Sequence, residues 1–312
     1  MEEIRHFSDA DTCLEFVAAL RWPDGQPVCP HCEEKGAYFL KTRSLWKCKA
    51  CRKQFSVKKG TIFEDSPIGL DKWLSAIWLI ANAKNGISSH ELARAVGVTQ
   101  KTAWFMLHRI RLAMQAESFE RLEGEVEVDE TFIGGQARYM HTDKKKEKIK
   151  ARGPAGKAVV IGLLERHHEV RTKPIPHTKK DTVQGQVRDN GKPGSEVFTD
   201  ALASYEGLDP EYVHQVINHA ECYAKGNVHT NCMENFWSLL KRGIKGTYIS
   251  VEPFHLFRYL DEQAFRFDSR KENDAGRFIE VGASIVGRRL TYQELIGDNE
   301  VWHSTAKGAG SA

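Results

Sequence analysis

Two sets of side chains in this 312-residue sequence have the types and spacing to do chemistry. The first is Cys29-Pro30-His31-Cys32, followed after fifteen residues by Cys48-Lys49-Ala50-Cys51. Each CxxC can fold as a tight knuckle that turns two thiolates onto one metal ion. Four thiolates close a tetrahedral zinc site with no open position, which makes the zinc structural rather than catalytic. A pair of redox dithiols is the competing reading. His31 is also a ligand type, but four cysteines suffice. The chain has seven cysteines, an odd number, and Cys13, Cys222 and Cys232 have no partner at metal spacing. This usage favours metal over disulfides and a reducing compartment.

The second set is acidic. Asp129 ends an apolar strand that begins at Val126, Asp200 ends Val197-Phe198-Thr199, and Glu234 opens the helical stretch CMENFWSLLKRG. Carboxylates from adjacent strand ends and a facing helix form an oxygen cage that suits Mg²⁺ or Mn²⁺. Two such ions, about 4 Å apart, can activate an attacking oxygen and stabilise a leaving oxygen in phosphodiester displacement. Glu234, Trp237, Ser238 and Lys241 recur at helical spacing and share one face, so Lys241 would point toward the same place to hold a phosphate. In the bland alternative, Asp129 and Asp200 cap turns and Glu234 pairs with Lys241 or Arg242 on the surface.

The elements that must position these groups fall into successive segments. GAYFLKTRSLWK, between the knuckles, has the aromatic and β-branched content of a hairpin that folds the second knuckle over the first. After the turn-rich GTIFEDSPIG, residues 70–86 carry Trp73, Ile77, Ile80 and Ala81 at helical spacing, with Gly86 as the stop. Ser88 or Ser89 can cap HELARAV, which ends at Gly97, and Thr99 can cap QKTAWFMLHRIRLAMQ. Helix, glycine-containing turn and helix make a helix-turn-helix, whose second helix would put Gln100, Lys101 and Thr102 toward the major groove. Three-helix units without a nucleic-acid role are also common.

Beyond residue 124 the pattern changes to short strands at 124–135, 157–166, 169–175, 195–205 and 212–218. Helical stretches lie at 179–189 and from about 231 onward. This alternation argues for a mixed α/β domain. The expected organisation is a multidomain chain: an N-terminal segment and zinc ribbon over 1–62, the helix-turn-helix over 63–122, the α/β domain over 123–298, and a flexible tail over 299–312.

Charge separates the partners the chain can have. Its net +3, from 45 basic and 42 acidic residues, is unremarkable as an average. Yet residues 35–59 hold nine Lys or Arg, among them Lys47, Arg52 and Lys53, and no Asp or Glu. A second stretch, 141–157, has seven basic residues against two acidic. Basic residues beside Tyr38, Trp46 and Phe55 suit a polyanion, because neutralising phosphates releases counterions. No run approaches the roughly 18 apolar residues of a membrane span, and MEEIRHFSDAD does not read as a secretion signal. The expected place of work is the cytoplasm, at the nucleoid.

Taken together, the paired CxxC, the helix-turn-helix, VEVDETFIGG, FTDALASY, HTNCMENFWSLLKRGIKGTY and PFHLFRYLDEQAFRFDSRK resemble the DDE transposases of bacterial insertion sequences. More narrowly, they resemble the ISXO-type group with an N-terminal zinc ribbon. The resemblance runs from about Cys29 to VGRRLTYQELI at 286–296, and VDETFIGG and HTNxxExFWSLLKRG are its most specific pieces. It implies a ribonuclease-H-like catalytic fold and a metal-dependent DNA strand-transferase. By the family's pattern Asp129 is the first catalytic acid, Asp200 the second and Glu234 the third, with Lys241 the basic residue seven positions on. Glu130 competes for the first position, but adjacent strand residues point to opposite faces. The third acid is sometimes Asn in this family, and Asn231 lies nearby; Glu234, with Lys241 at the right spacing, is the better choice. Relatives often carry Tyr-Asn where this chain has Asp268-Ser269.

The activity so implied is cleavage at the ends of a mobile element, followed by attack of the freed 3′-hydroxyl on target DNA. The ribbon and the helix-turn-helix would recognise terminal inverted repeats in double-stranded DNA, with Lys241, Arg242 and Lys245 on the backbone. Bringing two ends together implies a homodimer or larger assembly. The competing classes are a domesticated DNA-binding regulator with a relic catalytic domain and a nuclease of the same fold that only hydrolyses.

Overall fold

The computed structural model describes Phe7 and residues 9–116, 120–134, 156–208, 211–217 and 229–297. The basic run at 141–157 (all but its last two residues), Cys222 and the tail from 298 lie outside the described residues. The chain divides into two compact units, one formed by 1–114 with 272–312 and the other by 115–271.

In the first unit, helix α1 (Ala10–Arg21) starts where the Asp9 carboxylate accepts the Thr12 backbone N–H at 2.7 Å. A three-stranded antiparallel sheet follows: β1 (Ala37–Leu40), β2 (Leu45–Cys48) and β3 (Gln54–Phe55). Its register pairs Phe39 with Trp46 and Trp46 with Phe55, so one face of the sheet is aromatic. Trp22 closes on that face, with ring centroids 5.0 Å from Trp46 and 6.2 Å from Phe55. Three helices come next, α2 (Leu70–Asn82), α3 (Ser89–Val96) and α4 (Gln100–Met114). The helix expected over 70–86 stops at Asn82, because Ala83 turns extended and Gly86 takes a left-handed φ of 80° in the loop. Ser88 caps α3 by accepting the Glu91 N–H, and Gly97 ends it in the left-handed conformation that glycine adopts without a Cβ clash. Thr99 Oγ1 accepts the Thr102 N–H at the start of α4.

GTIFEDSPIG has turn-rich composition, but Ile62 and Phe63 are fully buried. Phe63 packs on Trp73 with centroids 5.1 Å apart. The Arg109 guanidinium donates to the carbonyls of Ile62 at 2.9 Å and Glu64 at 2.7 Å. The ribbon and the helices are therefore joined by core rather than by a hinge. The sequence groups 272–298 with the strands, whereas these residues pack in the first unit. Helix α8 (Asp274–Ala283) lays Phe278 among Phe7, Phe16 and Trp78, all with centroids within 5.6 Å of it. Ile62 N–H bonds the Ile285 carbonyl at 3.1 Å, and Arg109 Nε bonds that of Leu290 at 3.0 Å. A short helix α9 (Tyr292–Ile296) follows, held by a Thr291–Glu294 capping box.

The second unit is built on a five-stranded sheet. Its strands are β4 (Glu125–Ile133), β5 (Ala158–Glu165), β6 (Val170–Ile175), β7 (Glu196–Asp200) and β8 (Val213–Ile217), in spatial order β6-β5-β4-β7-β8. β5 pairs antiparallel with both β6 and β4, while β7 pairs parallel with both β4 and β8. Helix α5 (Lys180–Asn190) covers one face through Val183 and Val187, which pack with Val126, Val128 and Val197. Helices α6 (Asn231–Gly243) and α7 (Leu256–Asp268) cover the other through Met233, Phe236, Trp237, Leu240 and Leu260. With the even-numbered valines of β4 facing α5, the period of two sends Glu127 and Asp129 toward α6. The layers are thus helix, sheet and helices, a mixed α/β arrangement. Among the described residues no helix is long and apolar enough to cross a membrane.

Candidate active site and metal centre

The four cysteines of the ribbon come together. Among the described residues they form a group whose ligand atoms all lie within 4.8 Å of one another. Cys29 and Cys51 sulfurs are 3.7 Å apart and those of Cys32 and Cys48 are 3.6 Å apart. Tetrahedral zinc with bonds of about 2.3 Å requires sulfurs about 3.8 Å from one another, so this donor set fits the ion. The two knuckles are built alike. His31 N–H points at Cys29 Sγ and Cys51 N–H at Cys48 Sγ, each at 3.4 Å. The residue after each pair, Glu33 and Arg52, has a left-handed φ of 61° and 63° that turns the chain away. The Cys51 N–H also draws the Cys48 thiol down, while against the Glu34 N–H burial and the neighbouring sulfurs push Cys32 up.

The acidic residues all lie in the second unit. β4 and β7 are in register through Glu127 and Phe198; two residues beyond, Asp129 and Asp200 stand level on neighbouring parallel strands. Asp129 faces α6, where Trp237 Nε1 donates to its Oδ2 at 3.0 Å, and its Oδ1 accepts the Glu130 N–H at 2.8 Å. Asp200 Oδ1 accepts the Leu202 N–H at 3.1 Å, so the carboxylate also closes its own turn. Glu130 points away from Asp129 and accepts from Tyr205 Oη at 2.6 Å.

Electrostatics ties these groups together. Burial, then the charge of Asp200 and to a lesser degree that of Glu234, pushes the Asp129 carboxyl up to about 6 against the two hydrogen bonds that favour its charge. Burial lifts Glu130 to about 7 against the Tyr205 hydrogen bond, with a smaller push from the charges of Asp129 and Asp200. Burial and then Glu130 raise Tyr205 well above its ordinary value. Burial draws Lys241 down while Asp129 draws it up, so the ammonium and the first carboxylate sense each other. Among the described residues only the four cysteines bring their ligand atoms close enough together for one ion; Asp129, Asp200 and Glu234 are linked through charge, with α6 over Asp129.

The remaining DNA-binding candidates are divided between the two units. Arg52 and Lys53 are exposed on the ribbon, and Lys47 is half-buried opposite Gln54. At the start of α4, Lys101 is exposed, but Gln100 donates to Ser89 Oγ at 2.8 Å and Thr102 Oγ1 lies 2.9 Å from Thr99 Oγ1. Arg242 and Lys245 are exposed at the end of α6 and in the single π-turn that follows it (Ile244–Tyr248).

Two residues packed at the root of α6, Glu127 and Arg166, escape a reading of the sequence. Glu127 is fully buried on the same face of β4 as Asp129, and its Oε2 accepts the Met233 N–H at 2.9 Å. Thr230, the residue before α6, makes no side-chain cap, so Glu127 does that work from another element. Arg166 Nε donates to Glu127 Oε1 at 2.8 Å, and its Nη2 donates to the His229 carbonyl at 2.9 Å. The same guanidinium lies 4.3 Å from the centre of the Phe198 ring. The one local signal is a glutamate on the core face of an otherwise apolar strand.

Known proteins match the same regions. Residues 121–268 match the model of the ISXO2-like transposase domain, and residues 8–54 match that of a transposase zinc-ribbon domain. A protein of Halobacterium salinarum, described as an uncharacterised protein in transposable element ISH50, is 27% identical over 257 residues, spanning 78% of this chain and 85% of that protein. A transposase-like protein of Haemophilus influenzae is 32% identical over 102 residues, which span 32% of this chain and 82% of the relative.

Proposed function

From the premise that the chain belongs to the ISXO2-like transposase family, we propose that it is a DDE-type DNA transposase, acting on the ends of an insertion sequence in the cytoplasm. The observation that carries this reading is that Asp129 and Asp200 lie on neighbouring parallel strands while Asp129 is hydrogen-bonded to Trp237 of α6, the helix that carries Glu234 and Lys241. The mixed five-stranded sheet with helices on both faces supports the ribonuclease-H-like fold.

In the proposed reaction a water oxygen attacks phosphorus at the element's end. The bond from phosphorus to the 3′ oxygen breaks, and a 3′-hydroxyl leaves with a proton. That hydroxyl then attacks a target phosphodiester, displacing the target's own 3′-hydroxyl. Asp129, Asp200 and Glu234 would hold two Mg²⁺ or Mn²⁺ ions, which when bound supply charge stabilisation for the attacking and leaving oxygens. Trp237 fixes the rotamer of Asp129, so the carboxylate does not reorganise during the step. Lys241, Arg242 and Lys245 hold the phosphate backbone along α6 and its π-turn. The zinc ribbon, through Lys47, Arg52 and Lys53, and the helices α3 and α4, acting as a helix-turn-helix through Gln100, Lys101 and Thr102, bind the terminal inverted repeats. Two ends must be brought together, so the working form is a dimer or larger.

Asp200→Asn tests the assignment. With oligonucleotides carrying the inverted repeats that flank the gene, the variant should bind as the parent does and neither cut nor join in Mg²⁺. Cleavage by the variant at the parent's rate would refute the role of Asp200. Cutting without joining by the parent would instead identify a hydrolytic nuclease.

A further inference from the structure

We infer that Glu127, with Arg166, is a positioning residue that sets the distance between the first and third carboxylates; the inference rests on the functional reading above. Asp129 is carried by strand β4 and Glu234 by helix α6, and these elements are more than 100 residues apart in the chain. Apolar packing alone lets a helix slide on a sheet, since dispersion contacts are not directional. Glu127 supplies direction. It sits two residues before Asp129 on the same face, and its Oε2 takes the N–H of Met233, the residue immediately before Glu234. The carboxylate sits at the positive end of the α6 dipole, where negative charge is favoured.

Arg166 completes the grip. Its Nε holds Glu127 Oε1, and its Nη2 holds the carbonyl of His229, just ahead of α6. Its Nη2 also lies 3.0 Å from His229 Nδ1. The Arg166 side chain is 5% exposed and that of Glu127 0%, so both charges are withdrawn from water and held by each other. Far along the chain from these contacts, the Tyr248 hydroxyl of the π-turn donates to buried Glu262 of α7, which pairs with Arg266. The carboxylate-bearing helix is thereby anchored through charged groups at both ends, not through its apolar face alone.

The test uses the full chain with zinc bound. Glu127→Gln keeps the size but loses the charge, and the Glu127→Leu/Arg166→Met double variant replaces the ion pair with apolar volume and leaves no buried charge behind. In both, end binding should stay within twofold of the parent. The Mg²⁺ concentration for half-maximal cleavage should rise by about tenfold or more, and the maximal rate should fall, as expected when reacting groups are displaced. In metal-free protein, the Met233 and Glu234 amides should exchange with solvent faster by a similar factor, a readout independent of activity. A double variant that is folded, with parental Mg²⁺ dependence and parental exchange at Met233, would overturn the inference. So would a lowered melting temperature with an unchanged rate per folded molecule. If the parent itself does not cut DNA, the functional reading fails, while the exchange measurement still decides whether Glu127 holds α6.

Discussion

Gly162 tests whether Asp129 depends on how closely α6 packs on the sheet. It lies on β5 directly opposite Asp129 in the ladder, under the helix. A Cβ at this position would stand 2.3 Å from Met233 Cε and 2.7 and 2.9 Å from Trp237 Cζ2 and Cη2. Carbons in contact settle at about 3.5–4.0 Å, so Gly162→Ala demands a retreat of about 1 Å. Met233 can swing its methyl aside. The Trp237 ring cannot, because it is 3% exposed and its Nε1 is bonded to Asp129. Overpacking of this kind costs about 1–3 kcal/mol of stability. The larger effect should be on rate, since displacing a reacting group by about 1 Å can lower turnover about 100-fold. The assay is the initial rate of end cleavage in Mg²⁺, read with the affinity for end DNA and the melting temperature. Gly162→Ala should bind ends normally, melt lower and cut far more slowly. A variant that cuts at the parental rate would show that the packing of Trp237 is irrelevant to Asp129.

Two further outcomes follow from the charged and metal-binding groups. Removing zinc with a chelator should lower the melting temperature of the first unit and abolish end binding, because four thiolates left without an ion no longer hold the two knuckles together; zinc-free protein that still binds ends would refute this. The pH dependence has a definite sign. The folded-state values of Asp129 and Glu130, about 6 and about 7, lie above those of an unfolded chain, so the folded protein binds more protons between them. Metal-free protein should therefore lose stability as pH rises from about 4 to about 7, and added Mg²⁺ should flatten that slope. Melts of the parent and of Asp129→Asn at pH 5 and pH 8 would check it, the variant showing the weaker dependence.

What was legible in the sequence was local. The CxxC pairs need only short-range spacing, and the structure gathers their sulfurs. The strands of the second unit are bounded by turn residues and alternate with helical stretches, so a mixed α/β unit could be read directly. Asp200 ends β7 and Glu234 lies in the first turn of α6, but Asp129, read from the sequence as a strand end, sits in the middle of β4, which runs on to Ile133. The groups that support these carboxylates could not be read from the sequence. Glu127 meets Arg166 across 39 residues and Met233 across 106, and no periodicity encodes such pairings. Ile62 and Phe63 were hidden for a different reason. Their neighbours Gly60, Asp65, Ser66 and Pro67 have turn composition, while the burial comes from Trp73, Arg109 and Ile285 elsewhere in the chain. The grouping of 272–297 with the first unit likewise depends on Phe278 finding Phe7, Phe16 and Trp78.

That last placement bears on how the protein is made. Phe278, Ile285 and Leu290 leave the ribosome only after the whole of 115–271 has been synthesised. The unit that carries the ribbon and the three helices cannot close its core until the carboxylate-bearing unit already exists, although domains generally fold in order as they emerge. A product that terminates early, through a stalled ribosome or a frameshift, would lack the aromatic plug and the partners of Ile62 and Arg109. Such fragments should be short-lived rather than persist as inactive competitors for DNA ends. Chain order thus makes the core of the ribbon-bearing unit the last part of the described protein to be completed.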